Sequence, residues 1–143
     1  MTSDFDELMF IHEKSKENPK LKKLAEWIAD ICVSEANTRK PGWDFYFFKN
    51  SPRGRMLANI HGEEELKWFF LDACHYYLDH TQWHLKVFEI DTRFLIDAVY
   101  NLLKGVELSK QELKKNVKRH YPKLMELLRE IGIEEDKHFI KLH

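Results

Sequence analysis

Apolar side chains recur every three or four residues over several stretches of this chain, which is the spacing of helices that bury one face. Asn18 followed by Pro19 is typical of a helix start, and an apolar stripe follows them. A later helix begins at Asp91 or the next residue and is closed by Gly105. Pro122 is expected to kink or split the last helix. The predicted helices, about five in all, cover residues 3–17, 19–37, 63–80, 91–104 and 109–132.

The segment between the second and third of these helices has a different period. In residues 43–48 and 55–61, apolar side chains alternate along the chain, as they do in half-buried strands. Ser51-Pro52-Arg53-Gly54 lies between them and has the proline and glycine placement of a type I turn. We therefore predict an antiparallel hairpin near residues 43–61. The β-branched and aromatic content of residues 84–90 favours a third strand there, although their spacing also fits a helical turn.

The composition agrees with one folded domain. The 143 residues are 43% hydrophobic and 13% aromatic, which is enough large apolar surface for one packed core over residues 1–143. Together with the patterns above, this predicts an α+β fold dominated by helices, with a small antiparallel sheet. The alternative is an all-α bundle with an irregular aromatic insertion.

Charge and cysteine content limit the classes of partner and the cellular location that we expect. The formal net charge is -1, so no overall field favours nucleic acid or an anionic membrane. No stretch approaches the roughly 18 apolar residues of a spanning helix, and the acidic N-terminus lacks the pattern of a secretion signal. Cys32 and Cys74 lie in apolar helical patterns and are expected to be free buried thiols in a reducing compartment. We expect a cytoplasmic protein without a membrane partner, and a homo-oligomer stays open.

Candidate partner-binding residues lie in the predicted hairpin. Residues 39–55 contain five basic residues and a single acid, Asp44, and aromatic residues are interleaved with them along the chain. Basic and aromatic groups together suit nucleic acid, and aromatic residues with arginine also suit a protein interface. If the aromatic rings instead fill the core, the basic residues only solubilise the turn. The candidate residues are Trp43, Tyr46, Phe48, Lys49, Arg53 and Arg55.

A second candidate site is a group of histidines and acids at the end of the third predicted helix. His80 and His84 are four residues apart, a spacing that allows two imidazoles to bind one ion if the helix extends that far. Asp72, His75 and Asp79 would share one helix face. The alternative is that these are capping or surface groups, because imidazolium is favoured near a helix C-terminus. A divalent metal bound by His75, Asp79, His80 and His84 would imply a metal-dependent enzyme or a metal sensor.

The sequence contains no motif of a familiar catalytic class. A Gly-rich phosphate loop, a pair of CxxC motifs, an HExxH motif and a nucleophile elbow are all missing. We therefore predict a small noncatalytic interaction protein without a cofactor, such as a regulator, an inhibitor or an immunity-like partner. The alternatives are a nucleic-acid-binding accessory protein and the metal-dependent enzyme or sensor. A catalytic site built from residues distant in sequence also stays open.

Overall fold

The computed structural model describes residues 4–39, 44–79 and 87–143, and most of these residues are helical. The α-helices are α1 (Asp4–Glu17), α2 (Lys22–Arg39), α3 (Phe45–Asn50), α4 (Pro52–His61), α5 (Leu66–Asp79), α6 (Ile90–Leu103), α7 (Lys110–Val117) and α8 (Tyr121–Ile131). Short 3-10 turns, Pro19–Leu21, Glu63–Glu65 and Lys118–His120, lead into α2, α5 and α8. Strands β1 (Leu108–Ser109), β2 (Ile133–Glu135) and β3 (Phe139–Leu142) form an antiparallel sheet. The predicted helix-dominated α+β class is therefore confirmed, while the helices outnumber the predicted five.

The described residues form two compact units. The first combines residues 4–28 with Glu89–His143, and the second is Ala29–Phe88. Helix α2 therefore begins in the first unit and continues into the second. A single domain over residues 1–143 stays a prediction.

The first unit is built around α6, which packs against α1 and α7. An ion pair between Arg93 Nε and Asp4 Oδ2, 2.7 Å apart, joins α6 to α1. Gly105 has a φ of 85° and follows the end of α6, as predicted, because glycine adopts this left-handed conformation without steric cost. Most of the predicted apolar stripe of α6 is buried, including Leu95, Val99 and Leu102, whereas Phe94 is 40% exposed.

The sheet lies near the C-terminal end of the chain and not in the predicted hairpin. Ile140 of the central strand β3 pairs with Leu108 of β1 and with Glu135 of β2. Hydrogen bonds from Arg129 and Lys110, with N···O distances of 2.8 and 2.7 Å, tie β2 to α8 and α7 and hold the pKa of Glu135 at about 2. This sheet was not predicted, because strands of two to four residues are too short to show an alternating pattern.

The last predicted helix is split into α7 and α8, as Pro122 suggested, but the break precedes the proline. Lys118 has φ 48° and ψ -114°, which is the conformation of the first central residue of a type II′ turn. Helix α7 therefore ends at Val117. Pro122 lies in the first turn of α8. An N–H group at this position has no acceptor within the helix, so proline removes no helical hydrogen bond. The turn places His120 in the interior of the first unit.

The predicted hairpin over residues 43–61 is wrong, because its described residues form α3 and α4. Four aromatic residues in a row open α3, so this run has no period and fits a helix as well as a strand. The carboxylate of Asp44 accepts a hydrogen bond from the N–H of Tyr46 at 2.7 Å, and Oδ1 of Asn37 accepts one from Phe45 at 2.9 Å. These two caps satisfy N–H groups that a six-residue helix leaves without internal partners.

A tight corner at Ser51 joins α3 to α4. The hydroxyl of Ser51 accepts a hydrogen bond from the N–H of Gly54 at 3.1 Å and donates one to the carbonyl oxygen of Phe48 at 2.7 Å. Pro52 occupies the first turn of α4. Gly54 lies so close to α3 that a Cβ atom there would collide with the carbonyl oxygen of Phe48. A Ser-Pro pair suits both a helix start and a β-turn, so the local sequence did not distinguish the two.

The third strand considered for residues 84–90 is not formed in its described part. Residues 84–86 lie outside the described residues, Val87 and Phe88 form a bend, and Ile90 begins α6. Phe88 is buried. Among these described residues, the apolar side chains that favoured a strand therefore belong to a bend and to the start of a helix.

Candidate interaction surface

The aromatic residues of α3 divide into a packed pair and an exposed pair. Phe45 and Phe48 are three residues apart, and both rings meet Phe70 of α5 edge-on, with centroid distances of 5.4 and 5.7 Å. Phe70 is fully buried. Tyr46 and Phe47 lie outside this contact, and each is 67% exposed. Phe48, one of the candidate partner-binding residues, is thus half-buried, which leaves less of its ring for a partner.

The outer face of α4 is also apolar. Met56 and Ile60 are four residues apart, so they share one helix face, and they are 54% and 65% exposed. Together with Tyr46 and Phe47 they make up half of the eight large apolar side chains that are exposed among the described residues. Their concentration on two short, adjacent helices is typical of a contact surface, whereas singly scattered apolar residues are ordinary.

The charged residues of these two helices are all basic. Lys49, Arg53 and Arg55 are exposed, and none forms an ion pair with another described residue. The first turn of α4 contains no acid, although the N-terminus of a helix favours negative charge. Positive charge from the arginines therefore adds to that of the helix dipole. We call these exposed residues the α3–α4 surface; its members are Tyr46, Phe47, Lys49, Arg53, Arg55, Met56 and Ile60.

Four of the six partner-binding residues predicted from the sequence lie on the α3–α4 surface. They are Tyr46, Lys49, Arg53 and Arg55. Trp43 lies outside the described residues. Phe47, Met56 and Ile60 were not predicted as surface residues, because their segments have the alternation expected of strands. No local pattern marks these three side chains as exposed, because Phe47 lies in an unbroken aromatic run and the spacing of Met56 and Ile60 is that of a buried apolar stripe.

His75 is the one predicted metal ligand whose side chain falls within the described part of the chain. It lies on α5 and is half-buried. The side chain of Asp79 and the whole of His80 and His84 lie outside the described residues. Among the residues that are described, no group of three histidines, cysteines or acids is arranged to hold a metal ion. The metal site stays a prediction.

The two cysteines are buried and form no disulfide bond, as expected from their helical patterns. Burial raises the pKa of the Cys74 thiol to about 12. Because only the thiolate is strongly nucleophilic, Cys74 is inert near neutral pH. Its contribution is to core packing in the second unit.

The first unit contains a buried cluster of polar and titratable side chains. Nε2 of His120 lies 3.1 Å from Oγ1 of Thr92 and 3.8 Å from Oδ2 of Asp91, and Nε of Arg119 lies 2.9 Å from the same carboxylate oxygen. Both contacts use one imidazole nitrogen, whereas a catalytic triad needs the acid on one nitrogen and the hydroxyl on the other. The side chain of Thr92 is also fully buried. The cluster therefore links the start of α6 to the turn before α8.

Acidification is expected to weaken the first unit through His120. Burial lowers the pKa of His120 from 6.5; the nearby Asp91 opposes this shift and Arg119 adds to it. The unfolded chain then binds a proton where the folded chain does not, so the free energy of unfolding falls as the pH drops through about 6.5. Denaturant titrations between about pH 8 and about pH 5 should show that the wild type loses up to about 1.4 kcal/mol per pH unit more than His120→Gln. Equal pH dependence in the two proteins would contradict this account.

Fold and surface together define a small helix-dominated α+β protein with an exposed pair of aromatic and basic helices. Comparisons with protein-family models, curated proteins and solved structures found no significant match to the chain. None of the helices in the described part of the chain is both long enough and apolar enough to cross a bilayer.

Proposed function

We propose that this protein is a small noncatalytic interaction protein, such as a regulator, an inhibitor or an immunity-like partner, which binds another protein through the α3–α4 surface. The observation that carries the proposal is the exposure of four large apolar side chains beside three cations that have no ion pair among the described residues. Aromatic residues, methionine and arginine are the types enriched in protein interfaces. Tyrosine and arginine are also frequent among the residues that dominate binding energy.

The surface suits a protein partner better than nucleic acid. Met56 and Ile60 form an aliphatic stripe on α4, and aliphatic side chains gain most from burial against other apolar groups. The three cations favour acidic residues around that apolar contact. The expected partner surface is therefore an apolar patch with aspartate or glutamate at its rim.

The two helices hold this surface in a defined geometry before any partner arrives. Asp44 and Ser51 cap the helices, and Phe70 supports α3 from beneath. A preformed surface loses less conformational entropy on binding than a flexible segment. This rigidity is useful to a regulator or an inhibitor, because little of the interaction free energy is spent on ordering.

Photo-crosslinking from the surface tests the proposal. p-Benzoylphenylalanine is placed at Phe47 or, as a matched control, at Phe139, which is an exposed phenylalanine on β3. Each protein is irradiated in a lysate of its native host. We expect discrete cross-linked proteins from position 47 that nuclease treatment leaves intact, and no such products from position 139. The same products from both positions, or none from position 47, would contradict the proposal.

Alanine substitutions on the surface should then weaken binding of the identified partner. Residues that dominate an interface lose at least about 2 kcal/mol on truncation, which is roughly 30-fold in affinity. We expect losses of this size for Phe47→Ala and Ile60→Ala in calorimetric titrations, and no loss for Phe139→Ala. The double variant Arg53→Glu with Arg55→Glu should slow association and remove or reverse its decrease with salt, because the surface then repels an acidic partner. Unchanged affinity in the first two variants would place the interface elsewhere.

A nucleic-acid-binding accessory role is the second candidate. It is favoured by the position of Lys49, Arg53 and Arg55 beside the exposed ring of Tyr46, because cations neutralise phosphates and rings stack on bases. Binding of labelled single-stranded RNA and DNA, measured at low and at high salt, tests it. Affinity that falls steeply with salt and is lost in the double arginine variant would support this role. Salt-insensitive or absent binding would remove it.

Two further parts of the sequence-based hypothesis also remain proposals. The unbridged thiols of Cys32 and Cys74 agree with a reducing, cytoplasmic location. A metal-dependent enzyme or sensor would rest on the four ligands predicted around the end of α5. Elemental analysis of the protein purified without chelators decides this last alternative, since it requires stoichiometric metal.

A further inference from the structure

A groove of about 100 Å³ runs between α6 and α7 in the first unit. Its floor is apolar and includes Ala98, Leu113 and Val117, which are all buried. Phe94 also lines it and is 40% exposed, so part of its ring is accessible. The groove thus provides an apolar bed with an aromatic ring, on a different unit from the α3–α4 surface.

The rim of the groove carries two carboxylates without partners in the described part of the chain. Neither Asp97 nor Glu112 has its carboxylate in an ion pair or a hydrogen bond with a described residue. The Ser109-to-Glu112 spacing suggests a reciprocal capping box, but only half of it forms. The hydroxyl of Ser109 accepts from the N–H of Glu112 at 3.3 Å, and the Glu112 carboxylate does not return the bond. Both negative charges are therefore available to a ligand.

Two amide side chains complete the rim. Nδ2 of Asn101 donates to the carbonyl oxygen of Asp97 at 2.9 Å, which leaves Oδ1 of Asn101 as an acceptor. The amide of Asn116 forms no hydrogen bond with a described residue. The rim therefore offers two carboxylates and two amide oxygens as acceptors, beside the N–H donors of the two amides, and its net charge is negative.

The chemistry that matches this groove is a donor-only cation on an aliphatic stem. An ammonium group has three N–H donors and a guanidinium group has five, and neither accepts. The methylene stem of such a group lies favourably on an apolar floor while its charged end stays at the polar rim. The Phe94 ring adds attraction for a cation. Calcium or magnesium fits less well, because each prefers six or more oxygen ligands and gains nothing from the apolar floor.

We propose that the α6–α7 groove binds an alkylammonium or alkylguanidinium group, as carried by a lysine or arginine side chain or by a free alkylamine. The proposal is independent of the α3–α4 surface, since all the residues that line the groove belong to α6, α7 and β1. It assigns the first unit a recognition site of its own.

Chemical-shift titration of the labelled protein tests this site. The probes are N-acetyl-argininamide, N-acetyl-lysinamide, n-butylguanidinium and n-butylammonium, with N-acetyl-norleucinamide as the uncharged control. We expect saturable shifts at the backbone amides of α6 and α7 with the cations and none with norleucinamide. Asp97→Asn with Glu112→Gln should weaken binding at least about tenfold, because charge-assisted hydrogen bonds are lost. The matched control is Glu13→Gln with Glu17→Gln on α1, where two exposed acids that do not line the groove are neutralised and affinity should not change.

The probes also distinguish the two sources of the cation. Equal affinity for the capped amino acids and the butyl cations supports a site for a free amine. Stronger binding of the capped amino acids supports a side chain presented by a polypeptide. Shifts that norleucinamide reproduces, shifts that persist in the double groove variant, or an absence of saturable shifts would each overturn the proposal.

Discussion

Replacing Phe70 with alanine is expected to lower the free energy of unfolding of the second unit by about 3–5 kcal/mol. Phe70 is fully buried, and its ring meets Phe45 and Phe48 edge-on. The substitution removes the buried ring, leaves a cavity and takes away both aromatic contacts that support α3. Since whole domains are stable by only about 5–15 kcal/mol, α3 should also lose its fixed position. Denaturant titration measures the first effect, and hydrogen exchange at the α3 amides measures the second.

Phe69 provides the matched control for this variant. It is the neighbouring residue on α5, is half-buried and contacts the ring of His61 in a tilted arrangement at a centroid distance of 5.0 Å. Its removal takes away the same atoms but less buried surface, so Phe69→Ala should cost about half as much or less. Equal losses for the two variants would show that α3 does not depend on Phe70.

Replacing Gly54 with alanine is expected to destabilise the second unit by about 1–3 kcal/mol, although the same change in an exposed helix normally stabilises it. The added Cβ would collide with the carbonyl oxygen of Phe48 and would lie 3.0 Å from its carbonyl carbon and 3.1 Å from the carbonyl oxygen of Lys49. These are backbone atoms, so no side-chain rotation relieves the clash. Helix α4 must move away from α3, which also alters the α3–α4 surface. Thermal and denaturant unfolding measure the loss of stability.

Asn59→Ala on the same helix is the control for Gly54→Ala. Asn59 is exposed, and alanine has the higher helix propensity, so this variant should keep or slightly raise stability. If Gly54→Ala behaves like Asn59→Ala, the close approach of α4 to α3 at the Ser51 corner is not rigid. If it unfolds at lower denaturant while Asn59→Ala does not, the corner sets the geometry of the surface.

The helices with a regular apolar stripe were predictable from the sequence. The period of α6 and the glycine that follows it placed this helix to within a residue or two, and the Asn18-Pro19 start of the second helix was also found. The two aromatic and basic segments were misassigned, because a run of four aromatic residues lacks a polar position that would mark one face. The residue types of the candidate surface were nevertheless recognised, since charge and aromatic content can be read without knowing the secondary structure.

The sequence by itself determined the helix-dominated class, the long amphipathic helices, the buried unbridged cysteines and the charge balance. These features follow from composition and from the spacing of residues that are close together in the sequence. The tertiary structure alone decided which aromatic rings of α3 pack on Phe70, which are exposed, and where the sheet forms. Those outcomes depend on contacts between residues far apart in sequence, such as Ile140 with Leu108 or Phe48 with Phe70. A local pattern does not encode such contacts, because burial of a side chain depends on what the folded chain places against it.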